Sequence, residues 1–285
     1  MKCMSVAKIW LGPAGIPSQC KGGGSVGGIK CCNELGLNAM EVEFVRGVNM
    51  SLAMAKECGE AAKEFGVRLS VHAPYYINLL SKNKDIIEAS KKRILDSVER
   101  AHLMHAGIVA FHAGYYTGLA KRDALEIVKK NCDDMTTVME KNGWLDVKLG
   151  LEASGKHSAF GYLDELLAVN ETNKQCVPVL DFAHIFAKNY GKIDYGEIFD
   201  KMEIKKFNHL HTHFSGIEFT DKGERMHIVM ASNKPPFEPL AHEILRRKLS
   251  ITIISESPIT DIDSLAMKKI FEKLGCELET KGFKC

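Results

Sequence analysis

Six short apolar runs in this chain each close on a side chain that can bind a cation. "VRLSVHA" ends on His72, "GIVAFHAG" on His112, "VKLGLEA" on Glu152, "CVPVLDFAH" on Asp181, "KFNHLHTHF" on His211 and "SITIISES" on Glu256. One such residue by itself is ordinarily capped, solvated or hydrogen-bonded. Several carboxylates gathered at one rim repel one another unless cations neutralise them. The conjunction therefore points to a metal centre. Two further imidazoles are spaced to join it: His184, three residues after Asp181 in "DFAH", and His227, in "GIEFTDKGERMH". Nitrogen and carboxylate donors without thiolate suit zinc, manganese or iron. A carboxylate such as Glu152 can bridge two ions about 3.5–4 Å apart in a hydrolytic cluster.

The run "KKFNHLHTHFSG" carries His209, His211 and His213 at alternate positions. On a strand, side chains two apart share a face. His211 is expected at the level of the other ligands, His209 deeper and hydrogen-bonded in the core, and His213 at or beyond the mouth as a supporting or substrate-contacting residue. Glu41 and Glu43 close the run "NAMEVEF" and are left without a role.

With "SVAKIWLG" and "NAMEVEF", the β-rich runs number eight, and amphipathic stretches separate them near residues 25–36, 50–66, 83–106, 122–142, 161–170, 194–203, 236–248 and 261–274. In "DIIEASKKRILDSVERAHLMHAG", Ile87, Ile94, Val98 and Ala101 recur at helical steps. Regular alternation of strand and helix calls for parallel strands with helical crossovers, and eight repeats favour a closed (β/α)8 TIM barrel over an open sheet. A barrel of this kind gathers the carboxyl ends of its strands at one mouth, where the six ligands fall. No Pro/Gly/Ser-rich linker divides residues 1–285, so a single domain is expected.

Composition sets wide bounds. A chain with 45% hydrophobic and 26% charged residues can bury a large core and is not disordered. The formal charge of +2 neither requires nor excludes nucleic acid. The nine cysteines form no C-x-x-C pair and are expected to be reduced and mostly buried. The amino-terminal stretch has no long apolar signal segment and no run is long enough to span a bilayer, so a cytoplasmic protein is expected, and it is taken to be a monomer. "GGGSVG" at 22–27 matches G-x-G-x-x-G, but about ten residues separate it from the first strand. It is read as a loop entering the first helix, not as a dinucleotide fingerprint.

Taken together, "VHAPYYINL", "FHAG", "GLEASG", "VLDFAHIFA", "HLHTHFSG" and "SESP" resemble the endonuclease IV family of abasic-site DNA repair enzymes. The resemblance runs over nearly the whole chain. It implies a (β/α)8 barrel of the xylose isomerase-like superfamily, a cluster of two or three zinc ions and double-stranded DNA bearing an abasic lesion as partner. It implies that His72, His112 and Glu152 hold one metal, with Glu152 bridging to a second held by Asp181, His211 and Glu256. A third takes His184 and His227 plus an aspartate at the position of Arg225, which cannot ligate. That site then recruits Glu224 or Asp221, binds weakly or is absent. Tyr75 and Tyr76 match residues that the family inserts into the duplex, and Arg46 is the remnant of its strand-two reading loop. The implied chemistry is phosphodiester hydrolysis with Glu152 and Glu256 as catalytic carboxylates. The alternative is a sugar isomerase or epimerase, for which one metal on Glu152, Asp181, His211 and Glu256 would suffice; it leaves His72, His112 and His184 without a purpose.

Overall fold

The protein is described by a computed structural model that covers residues 7–20, 22–279 and 282–284. The chain runs β1 (Lys8–Pro13), α1 (Gly24–Glu34), β2 (Ala39–Glu43), α2 (Leu52–Phe65), β3 (Arg68–His72), α3 (Lys84–Leu103), β4 (Ile108–Phe111) and α4 (Lys121–Asn142). It continues through β5 (Lys148–Glu152), α5 (Leu163–Thr172), β6 (Cys176–Asp181), α6 (Phe182–Lys188), α7 (Tyr195–Lys201) and β7 (Leu210–Phe214). A hairpin of β8 (Gly216–Thr220) and β9 (Gly223–Ile228) follows, then α8 (Phe237–Arg247), β10 (Ser250–Ser255) and α9 (Thr260–Lys273), with a short pair β11 (Glu277–Glu279) and β12 (Gly282–Lys284) after them.

Eight strands form one parallel sheet in the order β1-β10-β7-β6-β5-β4-β3-β2. The two ends meet: Ala14 bridges to Glu41, and Gly15 N–H donates to Glu41 O at 2.8 Å. The fold is the expected TIM barrel. Gly12 permits the closure, because a Cβ there would collide with the carbonyl oxygen of Ala39 on β2.

Each expected run holds a barrel strand and each expected helical stretch a helix. Among the additional elements, α6 and the β8–β9 hairpin bear on the mouth of the barrel. "DFAH" does not continue β6, because the Asp181 carboxylate accepts the His184 N–H at 2.7 Å and caps α6, a helix of one to two turns. The stretch after β7 forms the antiparallel β8–β9 hairpin. "GGGSVG" does enter the first helix, through Gly23 and Gly24 at φ 81° and 57°. The expectation of reduced cysteines is corrected at Cys20 and Cys31, which form a disulfide; α1 brings their Cα atoms within 6.2 Å. Cys32, Cys58, Cys132 and Cys176 are free and buried.

The main apolar core lies between the sheet and its helices, with Ile9, Leu69, Val109 and Ile251 on the outward face of the strands. Inside the barrel Ile108, Ala110 and Val179, with Val177 packed against them, make a small apolar cluster. The bulky branched layers usual in such barrels give way to buried polar groups: Glu41, Ser70, His211, His213 and Thr252.

Candidate metal centre at the carboxyl mouth

Seven of the eight expected ligands converge at the mouth where the strands end. Glu152, the last residue of β5, is buried and central. Its Oε2 lies 2.9 Å from His72 Nε2 and 3.5 Å from His112 Nε2; its Oε1 lies 3.2 Å from His184 Nδ1 and 3.3 Å from His213 Nδ1. Among the described residues potential donor atoms form four groups, each within 4.8 Å: three at this mouth, His72, His112 and Glu152; Glu152, Asp181, His213 and Glu256; and Asp181, His184 and His227; and a deeper one of Glu41, His211 and His213. Glu152 links the first to the second, and Asp181 the second to the third.

The expected place of His211 is corrected. In the parallel register Asp181 pairs with His213, so it is His213 whose Nδ1 reaches Glu152 and, at 3.3 Å, Glu256 Oε1. His211 lies two residues, about 6.6 Å, deeper along the strand. There its Nε2 meets Glu41 Oε2 at 2.8 Å. The other Glu41 oxygen lies 2.8 Å from His213 Nε2, so one buried carboxylate on β2 separates the two imidazoles. His209, deeper again, is hydrogen-bonded to the Ser250 and Thr252 hydroxyls.

The spacings sort the contacts. Two donors each about 2.0–2.1 Å from a tetrahedral zinc stand about 3.3–3.4 Å apart. The His112 and His213 contacts with Glu152, at 3.5 and 3.3 Å, have that length, whereas the 2.9 Å contact of His72 Nε2 is a hydrogen bond. Of the two 2.8 Å contacts of Glu41, the one with His211 Nε2 is a hydrogen bond, while that with His213 Nε2 is an ion-pair contact without hydrogen-bond geometry. Backbone carbonyls orient two rings: Ala73 O lies 2.8 Å from His72 Nδ1, and Ala153 O 3.0 Å from His184 Nδ1. A carbonyl only accepts, so each Nδ1 carries a proton and Nε2 is the nitrogen turned to the mouth. Glu152 Oε1, Asp181 Oδ2 and His213 Nδ1 are buried without a hydrogen-bond partner among the described residues, as donors awaiting a cation would be.

The third group is completed by the hairpin. His184 Nε2 lies 3.1 Å from His227 Nε2 and 3.4 Å from Glu224 Oε2. In a regular strand residues 225 and 227 would share a face. Instead the pairing shifts, with Glu218 opposite Met226 and Phe219 opposite Glu224. This bulge at Arg225 puts Glu224 on the side of His227, while Arg225 turns outward to Glu218 at 3.4 Å. Of the two substitutes considered, Glu224 is the one beside the imidazoles. Gly155 makes room for it, because a Cβ there would meet the Glu224 side chain.

The buried carboxylates and imidazoles shift one another's protonation. Burial opposes charge on His72 and His184, yet carboxylates outweigh it: His72, hydrogen-bonded to Glu152 and near the Glu43 charge, and His184, near the Asp181 charge and hydrogen-bonded to Glu152, are both pushed up to about 10. Burial and the neighbouring carboxylates hold Glu256 well above the usual carboxylate range, and burial raises Glu43 to about 7. Despite burial, the His112 and His213 charges hold Glu152 well below its ordinary value.

The groups border a cavity of about 460 Å³, lined also by Glu43, Tyr75, Tyr115 and Lys156. Tyr75 and Tyr76, on the loop after β3, are each 63% exposed. Arg46, on the loop after β2, is exposed and joins none of these groups. Glu41, Glu43 and the inward place of His213 were missed by sequence reasoning. The alternation of "AMEVE" held a signal, since Glu41 and Glu43 share a face with each other and point away from Met40 and Val42.

The family model for the xylose isomerase-like TIM barrel matches residues 29–272. An uncharacterised protein of Methanocaldococcus jannaschii is 31% identical over 273 residues, covering 93% of this chain and 97% of the relative. A probable endonuclease 4 of Mycoplasmopsis synoviae is 28% identical over 67% of this chain and 69% of its own length. Among solved structures, endonuclease IV from Thermus thermophilus superposes with a TM-score of 0.70 at 18% identity, covering 92% of this chain and 99% of that one. A D-tagatose 3-epimerase-like protein gives 0.67 at 19% identity, over 92% and 96%.

Proposed function

Because the chain belongs to the xylose isomerase-like TIM barrel family, we propose that it is a metal-dependent phosphodiesterase that cleaves double-stranded DNA beside abasic sites. The observation that carries this reading is the linkage of three donor groups through Glu152 and Asp181, more donors than a single ion needs. His72, His112 and Glu152 would hold one cation, Glu152, Asp181, His213 and Glu256 a second, and His184, His227, Asp181 and Glu224 a third. Zinc suits these donors best, with manganese or iron(II) as substitutes. Bound cations would supply Lewis acidity and neutralise charge developing on phosphoryl oxygens.

The chain's own residues do the rest. Glu256 is 16% exposed at its side chain whereas Glu152 is fully buried, so Glu256 is the carboxylate able to orient an attacking water and take its proton. Glu152 stays ionised and divides its oxygens between two groups. Tyr75 and Tyr76 supply exposed rings that can fill the space left by an extruded nucleotide; extrusion costs a few kcal/mol, least at a damaged site. Arg46 would meet the DNA backbone.

The test is incision of a duplex carrying a tetrahydrofuran lesion, with metal content measured on the same sample. The expected outcome is two or three ions per chain, incision that a strong chelator abolishes, and a loss of more than about 100-fold in Glu152→Gln. An intact duplex at full metal occupancy overturns the proposal. A second reading, a sugar isomerase or epimerase, is favoured by the 460 Å³ volume of the cavity, a size suited to a small molecule. One ion per chain, on Glu152, Asp181, His213 and Glu256, would select it.

A further inference from the structure

The opposite mouth of the barrel holds a second cavity, of about 610 Å³, that the proposed reaction does not use. It lies among the amino ends of the strands: Arg68 begins β3, Lys148 begins β5, and His209 precedes β7. Four cationic side chains line it, Arg68, Lys148, Lys174 and Lys206, and no acidic one does. Lys206 pairs with Glu203. Among the described residues no carboxylate pairs with Arg68, Lys148 or Lys174. Lys148 Nζ donates only to neutral oxygens, Gln175 Oε1 at 3.1 Å and Lys174 O at 3.3 Å. The Arg68 guanidinium lies 4.8 Å from the Trp10 ring centroid, a contact that holds it in place without neutralising it.

Ser70 also lines the cavity and is 3% exposed, and its hydroxyl has no hydrogen-bond partner among the described residues. A buried hydroxyl left unpaired is costly, and a ligand oxygen would satisfy it. His209 cannot serve, since both its ring nitrogens are engaged by Ser250 and Thr252. Ile108, Val177 and Phe207 give the cavity apolar walls. Three unpaired cations call for a multivalent anion, and the apolar walls for an organic body. The ring of strands excludes a nucleic-acid duplex.

We propose that this cavity binds a small phosphomonoester, with its phosphate on Arg68, Lys148 and the Ser70 hydroxyl and its organic part against Ile108, Val177 and Phe207. A phosphomonoester carries a charge of about −1.5 to −2 at neutral pH and three acceptor oxygens, which match these donors. A monocarboxylate would leave most of the positive charge uncompensated.

Calorimetric titration of the full chain, stripped of metal so that phosphate finds no cation at the other mouth, tests this at constant ionic strength. The probes are inorganic phosphate, ribose 5-phosphate and ribose. The expected result is saturable 1:1 binding of both phosphates at or below millimolar concentration, tighter for ribose 5-phosphate, and no binding of ribose. Arg68→Met, Ser70→Ala and Lys148→Gln should each weaken binding by about tenfold or more, while His112→Ala leaves it unchanged. Three variants keep the test open if one fails to fold, which circular dichroism would report. No saturable phosphate binding, or wild-type affinity in the folded variants, overturns the proposal. Equal affinity for the two phosphates overturns its organic half and assigns the cavity to the free ion.

Discussion

Glu41 is fully buried and touches an imidazole with each carboxylate oxygen, His211 on one side and His213 on the other. A carboxylate that accepts from one ring nitrogen fixes the ring and makes the other nitrogen a better ligand. Glu41 hydrogen-bonds His211 and stands 2.8 Å from His213 Nε2, so its negative charge would favour a proton on that nitrogen and leave Nδ1 to face Glu152 and Glu256. Replacing it with alanine should weaken cation binding at that group by about 10–100-fold, read by metal titration with a competing chelator, and should leave binding at His72 and His112 in place. The third group offers a sharper contrast. Glu224→Ala should lower the metal content of the chain, whereas Arg225→Ala should not, because Arg225 faces Glu218 and not the imidazoles. Equal metal loss in the two variants would contradict the assignment.

At the level of elements, small residues decide where strands and hairpins can approach. β1 closes on β2 because Gly12 has no side chain to meet Ala39. Gly12→Ala should destabilise the fold by at least about 1–3 kcal/mol, the range for overpacking a filled site, seen as a lower midpoint in urea unfolding. The β8–β9 hairpin leans on the β5 loop through Gly155, and Gly223, at φ 96°, lies against the Gly155 carbonyl. A side chain at either glycine would lift the hairpin and take His227 and Glu224 away from His184.

The whole molecule carries this polar cluster inside its barrel at a cost in stability that cations would offset. Glu41, Glu152 and Asp181 are all buried at or below 1% exposure. Ligands that bind only the folded state raise its stability by mass action, so zinc should raise the thermal midpoint and a strong chelator lower it. Unchanged midpoints across both conditions would argue against a bound cation. Acidity acts through His209 as well. Burial, with the charges of Arg68 and His211, pushes this imidazole down to about 3, whereas an unfolded histidine titrates near 6.5. Its contribution is therefore complete above about pH 6.5 and is lost as pH falls toward 3, because the unfolded chain takes up the proton first. In His209→Asn the fall in denaturant midpoint between those values should be shallower than in the parent.

Much of this protein is legible from local pattern alone. The alternation of β-rich runs with amphipathic stretches implies a barrel, because strand and helix periods are set by near neighbours in the chain. The residues that close those runs pick out His72, His112, Glu152, Asp181 and Glu256, since strand ends meet at one mouth whatever the details. What only tertiary structure decided is depth and rotation. His211 and His213 share a face, and nothing in their own run says which lies level with Asp181; the register between β6 and β7 does. Glu224 replaces the residue at 225 because a bulge in a hairpin turns it inward, and Glu41 matters because two distant strands bring their imidazoles to it. Those relations depend on hydrogen-bond pairing between segments far apart in sequence, and a side-chain pattern read along one segment carries no record of them.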